Sequence, residues 1–336
     1  MAAVTGEQPA EGRPTWVVAL GGNAIQRPGA RGTYAEQMES VRGTARVLAS
    51  IIGSGRARVV ITHGNGPQVG AILLQNELAA RQVPPLPLDA CGAESQGLLG
   101  YLLSQALTAA FGPSGPQVVT VLTRVRVNPA DPAFAQPEKP IGPYYGDAEA
   151  EEGRRRGWVM RHDAARGGWR RVVASPQPAA ILELAAIRTL LDQGFVVVAA
   201  GGGGVPVIQE GRELVGAEAV IDKDLASALL ADALDADGLF ILTDVEAVAV
   251  DFGRPDQRFL GEVSLQELAR HHKEGQFGSG SMGPKVEAIL RFVGAGRPGR
   301  LGAIGALAAA HDVLAGRAGT RVRRGGDGAA GRGVPR

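Results

Sequence analysis

Short apolar runs alternate along the chain with longer stretches in which apolar residues recur every three or four positions. The runs cover residues 16–20, 59–62, 118–122, 195–199 and 239–242. Runs of this length, rich in Val, Ile, Leu and Phe, predict strands buried on both faces. The clearest stretch between them carries Met38, Val41, Ala45, Leu48 and Ile52, which is one face of a helix. Further helices are expected over 68–81, 96–110, 179–193, 225–234 and 286–293. Alternation of strand and helix predicts an α/β chain with a mostly parallel central sheet covered by helices on both faces. No sequence repeat and no interdomain linker interrupts it.

One segment leaves this rhythm. From about 124 to 175 the chain is rich in Pro, Gly, Tyr and charge, as in Lys139-Pro140-Ile141-Gly142-Pro143-Tyr144-Tyr145. Its apolar periodicity is too weak for the main core, yet fifty residues are too many for a structureless loop. The expectation is a small protruding lid subdomain inserted in a single domain spanning 15–322. Arg154-Arg155-Arg156 within it reads as a solvated face.

Composition narrows the function classes. The 336 residues are 45% hydrophobic and 21% charged, and no apolar run approaches the roughly 20 residues of a membrane helix. A single cysteine, Cys91, leaves no intrachain disulfide and no cysteine metal cluster, and reads as a packed thiol. Residues 1–14 show no signal peptide, so a cytoplasmic protein is expected. The net charge of +1 hides an asymmetry: residues 317–336 sum to +5 and residues 1–316 to −4. Residues 1–14 and 323–336 are expected to be disordered. The slightly acidic, aromatic-poor body argues against nucleic-acid binding.

The basic residues are themselves skewed. Of 35, only Lys139, Lys223, Lys273 and Lys285 are lysine. In an arginine-rich background a retained lysine is a candidate for a task that needs a compact point charge.

Three predicted strands end in glycine-rich turns: Gly21-Gly22-Asn23, His63-Gly64-Asn65-Gly66 and Gly201-Gly202-Gly203-Gly204. Ligands bind at the carboxyl ends of strands in open parallel sheets, where glycines let the backbone approach and helix N-termini offer free N–H groups. Val220-Ile221-Asp222-Lys223-Asp224 places two carboxylates around a lysine at a helix start. Leu242-Thr243-Asp244-Val245 ends another strand, and Gly278-Ser279-Gly280-Ser281-Met282-Gly283-Pro284-Lys285 carries a lysine onto a helix N-terminus. Three of the four lysines therefore sit in anion-binding surroundings. The stretch 64–70 lacks the downstream strand and carboxylate of a dinucleotide fold, and no Gly-Lys pair exists to make a P-loop. The histidines form no site by spacing. His63 is placed to orient its turn, and His271-His272 read as surface.

In this order the motifs resemble the carbamate kinase family of the amino-acid kinase superfamily. The resemblance covers residues 16 to about 322 and rests on Ala19 to Ala24, Thr62 to Gly70, Cys91 to Gln96, Lys139 to Pro143, Ser175-Pro176, Gly201 to Pro206, Val220 to Asp224, Leu242 to Val245 and Gly280 to Glu287. It implies a three-layer αβα sandwich, a homodimer, and Mg²⁺-dependent phosphoryl transfer between ATP and carbamate, giving ADP and carbamoyl phosphate. In such a family the reverse direction often makes ATP during arginine fermentation. The resemblance further implies catalytic roles for Lys139, Lys223, Lys285, Asp222 and Asp224. Gly21, Gly22, Asn23, Gly64, Asn65, Gly66, Gly201, Gly202 and Gly203 would hold carbamate and the transferred phosphoryl group. Thr243, Asp244, Val245, Ala249, Ser281, Met282, Gly283 and Lys285 would hold the nucleotide, with no metal ligands supplied directly by the protein. The chain departs from the family's pattern at Thr123-Arg124 and Asn128, where the lid hinge is expected to differ, at Glu138, and at Ala249, where a tyrosine is usual near the nucleotide. Another small-acid kinase of the superfamily, or a nucleotide-binding protein without turnover, are the competing readings.

Overall fold

The computed structural model describes residues 12–27, 29–163, 167–278 and 281–324. The chain begins with β1 (Thr15–Leu20), α1 (Tyr34–Ile52), β2 (Arg58–His63), α2 (Gly66–Ala79), α3 (Leu88–Phe111) and β3 (Val118–Thr120). Then follow β4 (Arg124–Val127), β5 (Lys139–Tyr145), α4 (Asp147–Arg155), β6 (Val159–Asp163), β7 (Gly168–Val173) and β8 (Pro178–Ile181). The chain continues through α5 (Leu184–Asp192), β9 (Val196–Val198), β10 (Val205–Glu210), β11 (Glu213–Gly216), α6 (Lys223–Ala233) and β12 (Gly238–Thr243). It ends with β13 (Ala249–Val250), β14 (Arg258–Phe259), β15 (Glu262–Ser264), α7 (Leu265–Lys273), α8 (Met282–Ala295), β16 (Leu301–Ala306), α9 (Ala310–Leu314) and β17 (Thr320–Arg323).

The main sheet has eight strands in the order β15-β17-β16-β12-β1-β2-β9-β3. The six from β16 to β3 are parallel, and β17 turns antiparallel to β16. Alternation along each strand feeds two cores. Val17, Ala19, Leu239 and Ile241 face α5, α6, α7 and α8, whereas Val18, Leu20, Phe240 and Leu242 face α1, α3 and α9. This is the expected three-layer αβα sandwich. Helix α1 starts where Thr33 and Glu36 form a capping box, and buries Val41, Ala45, Leu48 and Ile52 as its spacing required.

Three expectations need correction. The helix expected over 179–193 is a strand, β8, followed by α5. Pairing with β4 overrides the local pattern there: Ile181 lies opposite Val125 and Ala180 opposite Arg126 in an antiparallel ladder. His271 is buried rather than on the surface, because α7 turns it inward one turn after Leu268. Arg323, expected in a disordered tail, closes β17 opposite Ser264, and the next residue, Arg324, donates from Nη2 to the Gly294 carbonyl. The expectations for residues 1–11 and 325–336 lie outside the described residues.

The excursion resolves into two parts. Strand β4 joins β8, β10 and β11 in a four-stranded sheet. Residues from β5 to β7 form a three-stranded antiparallel sheet with α4. The latter part is fastened to the body. Ile141 packs with Val69, Leu73, Val173 and Val220, and the Arg171 guanidinium meets Glu77 of α2 at 2.6 Å. Gly70 of α2 touches Gly142 so closely that a Cβ at Gly70 would overlap the Gly142 backbone. Among the described residues no helix is long and apolar enough to cross a membrane.

Candidate active site

The carboxyl ends of β1, β2, β9 and β12 open onto the N-terminus of α6. Their turns are stitched together by backbone hydrogen bonds. Gly21 N donates to Leu242 O at 2.8 Å, and Gly64 N donates to Leu20 O at 3.3 Å. The glycine run after β9 has a steric reason. Gly202 and Gly203 have φ of +65° and +91°, where side chains are strained. A Cβ at Gly202 would overlap the Asn65 carboxamide, and one at Gly203 would overlap the Ile221 carbonyl. Asn65 is in turn held by Ser95, whose Oγ accepts from Asn65 Nδ2 at 2.7 Å. A Cβ at Gly64 would lie 3.3 Å from Lys223 Cδ, and a Cβ at Gly66 would be 3.9 Å from the Pro140 carbonyl of the lid. The second turn thus reaches both Lys223 and the lid, whereas the first, at Gly21, meets Leu242 and Thr243 at the end of β12.

Three lysines meet on two carboxylates. Lys139 Nζ of β5 binds Asp222 Oδ2, and Lys223 Nζ binds Asp224 Oδ1. Lys285 Nζ of α8 reaches Asp224 Oδ2 at 3.2 Å and the Ser281 carbonyl at 3.3 Å. Asp222 also caps α6, with Oδ1 accepting from Asp224 N at 2.8 Å and Leu225 N at 3.4 Å. The cluster carries one net positive charge and lies beside a helix N-terminus, which favours anions.

Burial and pairing set the protonation states. Burial alone would raise the Asp222 pKa. The Lys139 ammonium and its hydrogen bond, then Lys223 and the Asp224 amide, outweigh burial and bring it down to about 2. Burial lowers the Lys223 pKa, the Lys285 cation adds to this, and Asp224 and Asp222 resist it. Burial likewise brings His63 down to about 4. Its neutral ring sits with Nδ1 3.0 Å from the Gly64 carbonyl, which fits the expected turn-orienting part. Burial pushes the Cys91 thiol up to about 11, as suits a packed thiol.

The residues expected around the nucleotide divide into groups. Asn23 Nδ2 donates to Asp244 Oδ2 at 2.7 Å, and Thr243 Oγ1 donates to Asp244 Oδ1 at 2.9 Å. Asp244 therefore ties the first glycine turn to the end of β12. At the other wall, Gly283 N donates to Gly278 O at 2.8 Å, and Met282 packs against the core below Lys285. Ser279 and Gly280 lie outside the described residues. Val245 is half-buried in the turn after β12, and Ala249 sits in β13 opposite Phe259. Neither joins the lysine cluster through a hydrogen bond. Gly22 is open on its Cβ side.

No group of three His, Cys, Asp or Glu side chains is placed to hold a metal among the described residues. Both oxygens of Asp222 and of Asp224 are already engaged by lysines or helix amides. These carboxylates therefore do not fit a protein-built cage for a divalent ion.

Supporting residues were less visible in the sequence. The Gln96 side chain donates to Thr123 O at 3.0 Å and accepts from Thr123 N at 2.9 Å. Thr123 Oγ1 accepts from Ala200 N at 2.9 Å, so this pair positions the glycine run. Thr62 and Ser227 hydroxyls meet at 2.6 Å and tie β2 to α6. Ser95 and Gln96 lie in one of the recognised motifs, but nothing in spacing alone tells which backbone they serve.

The profile of the amino acid kinase family matches residues 14–302. A carbamate kinase of Thermococcus kodakarensis is 50% identical over 314 residues, covering 92% of this chain and 98% of that protein. One from Escherichia coli K12 is 49% identical over 310 residues, covering 92% and 99%. A solved carbamate kinase of Giardia lamblia bound to AMP-PNP superposes with a TM-score of 0.85 at 43% identity, covering 93% of this chain and 99% of that one.

Proposed function

The chain belongs to the amino acid kinase family, and from that premise we propose that the three lysines gathered on Asp222 and Asp224 are the centre of its phosphoryl-transfer site. The reaction is reversible transfer between ATP and carbamate. A carbamate oxygen forms a new bond to the γ-phosphorus, the bond from that phosphorus to the β-phosphate oxygen breaks, and ADP and carbamoyl phosphate result.

The single observation that carries the site assignment is that lysines from three distant chain segments converge on two buried carboxylates. Carbamate is already an anion, so no general base has to create the nucleophile. What remains is to hold two negatively charged partners in line and to neutralise the phosphoryl oxygens. Lys223 and Lys285 come from the body and would meet the phosphates there. Lys139 comes from the lid sheet and would arrive over the transferred group. Asp222 and Asp224 orient these ammonium groups. The backbone N–H groups of 21–23, 64–66 and 201–203 would donate to carbamate and the migrating phosphoryl group, as preorganised donors do for developing charge. Thr243, Asp244, Val245, Ala249, Ser281, Met282 and Gly283 line the side assigned to the nucleotide. Mg²⁺ would enter as part of the nucleotide substrate, on its phosphate oxygens, where it withdraws charge from the group in transit.

We also infer a homodimer. Strand β3 leaves one edge of the main sheet uncovered, and beside it α1 and α3 present the exposed rings of Tyr34 and Tyr101 around a groove of about 510 Å³. A bare edge strand next to exposed aromatics calls for a cover, and a second copy supplies a matching edge. Light scattering at a single mass of one chain would oppose this.

The substrate assignment is tested by offering MgATP with carbamate, acetate, formate or bicarbonate and following ADP release. Carbamate should be preferred clearly. Equal rates with acetate would reassign the acceptor.

A further inference from the structure

Carbamate differs from acetate by an amino group where acetate has a methyl. Its nitrogen lone pair is shared with the carboxylate, so the amino group donates hydrogen bonds and does not accept them. The groups so far assigned to the anion are all donors: the backbone N–H groups of the three glycine turns and the ammonium groups of Lys139, Lys223 and Lys285. Donors hold the oxygens of either anion and do not tell an amino group from a methyl. That distinction needs an acceptor.

The second glycine turn supplies one. Asn65 is only 5% exposed, and it lies against the third turn, where a Cβ at Gly202 would come within 2.1 Å of Nδ2 and 2.6 Å of Oδ1. Its chain neighbours face the lysines from two sides. The Cβ side of Gly64 meets Lys223, and that of Gly66 meets the carbonyl of Pro140, the residue after Lys139.

The direction of the Asn65 carboxamide follows from where one proton goes. Ser95 Oγ lies 2.7 Å from Gly92 O. A carbonyl only accepts, so the single hydroxyl proton of Ser95 points there. Toward Asn65, Ser95 Oγ is left as an acceptor, and the 2.7 Å contact must come from Nδ2. The opposite orientation would set two acceptors against each other. With Nδ2 directed to α3, Oδ1 is the free atom of the carboxamide, and among the described residues nothing donates to it. A buried acceptor without a partner is costly, so an incoming N–H relieves that cost. His63 is the other acceptor nearby, since its Nδ1 proton goes to the Gly64 carbonyl. Its Nε2 is covered by Gly201, with Gln96 alongside, and the residue is 1% exposed.

We propose that Asn65 Oδ1 accepts an N–H from the amino group of carbamate, and that Ser95 is the positioning residue that keeps this oxygen turned to the substrate. The proposal rests on the reading of the three turns as the carbamate side of the site. Asn65 meets the substrate at an atom that does not react, and Ser95 acts only through Asn65. A site built to hydrogen-bond an N–H rejects the analogue that lacks it far more strongly than an apolar pocket rejects an added group.

The test compares carbamoyl phosphate with its methyl analogue, acetyl phosphate, as phosphoryl donors to MgADP. ATP formation gives kcat/KM for each donor in the wild type, Asn65→Ala, Asn65→Asp and Ser95→Ala, and thermal melting identifies the variants that stay folded. Asn65→Ala should lower the preference for carbamoyl phosphate by about 10- to 100-fold, the scale of one buried hydrogen bond. Ser95→Ala should lower it in the same direction, because the carboxamide is then free to turn. Asn65→Asp retains an acceptor and should retain the preference, with both donors slowed because its charge opposes the phosphoryl group. An unchanged preference in Asn65→Ala overturns the proposal, as does a preference lost equally in Asn65→Asp. A Ser95→Ala protein that slows both donors alike would make Ser95 purely structural and overturn its positioning role. A wild type that uses the two donors equally would overturn the carbamate reading itself, and the proposal with it.

Discussion

Lys285 Nζ reaches Asp224 Oδ2 at 3.2 Å although 61 residues of chain separate the two. One carboxylate therefore holds a lysine from α8 and, on its other oxygen, the lysine that begins α6. Lys285→Ala should lower kcat by about 10²–10³, the loss that follows removal of one donor from a charge-stabilising site, with little change in melting temperature. Lys223→Ala should cost similar activity and also some stability. Breaking a buried ion pair from one side costs about 3–5 kcal/mol, and the remaining Lys285 should hold the loss below that. Lys273→Ala, on the exposed side of α7, is the comparison. If it slows turnover as much as the other two, the cluster is not the site.

Lys139 is the lysine that the lid brings. Its ammonium rests on Asp222, and its side chain is still 29% exposed, so it can leave Asp222 for a phosphoryl group when substrates arrive. Lys139→Ala should lower kcat by about 10²-fold while leaving ADP affinity within about two-fold, because its contact is felt mainly in the transition state. Lys139→Arg should recover only part, since a planar fork does not replace a compact ammonium. Steady-state kinetics with ADP titration decide this, and a wild-type kcat in Lys139→Ala would remove the lid from the mechanism.

Acid should weaken the fold in two separate windows. His63 has a folded pKa of about 4, lowered by burial, against about 6.5 when unfolded. The unfolded chain then binds the extra proton, so the stability this histidine confers is complete above pH 6.5 and lost as pH falls toward 4. Asp222 is held at about 2, and its contribution is lost only between about pH 4 and pH 2. Melting temperature against pH should show the first loss in the wild type and a shallower one in His63→Gln. Parallel curves for the two proteins would mean His63 titrates normally.

Gly202→Ala should be damaging out of proportion to one methyl group. The position needs a φ of +65°, and the new Cβ would press on the Asn65 carboxamide that Ser95 holds. Strain of this kind costs on the order of 1–3 kcal/mol, and displacement of Asn65 should lower kcat as well. Activity and melting temperature both equal to wild type would show that the glycine run is not constrained as described.

The parts of the fold that could be read from the sequence are those whose pattern is local. Residues 16–20 and 239–242 are continuous apolar runs, and both are central strands. Strand β16 escaped notice because Gly302 and Gly305 break its apolar character. Their reason is tertiary: a Cβ at either would come within 2.5 Å of a side chain packed on the sheet, Ile289 of α8 for Gly302 and Val313 of α9 for Gly305. The site divides in the same way. Three lysines stood out against an arginine-rich background, and the glycine turns marked the strand ends. Their pairing across 83 residues for Lys139 and Asp222 is a product of folding that no spacing announces. The antiparallel turn of β17 and the four-stranded sheet around β4 depend on pairings of the same long-range kind.

The central claim is best tested by mixing ADP, carbamoyl phosphate and Mg²⁺ with the protein and measuring ATP. The account expects ATP to form at a rate proportional to protein, to require Mg²⁺, and to fall by about 10²–10³ in Lys285→Ala. No ATP above the protein-free mixture, or equal formation by wild type and Lys285→Ala, would contradict it.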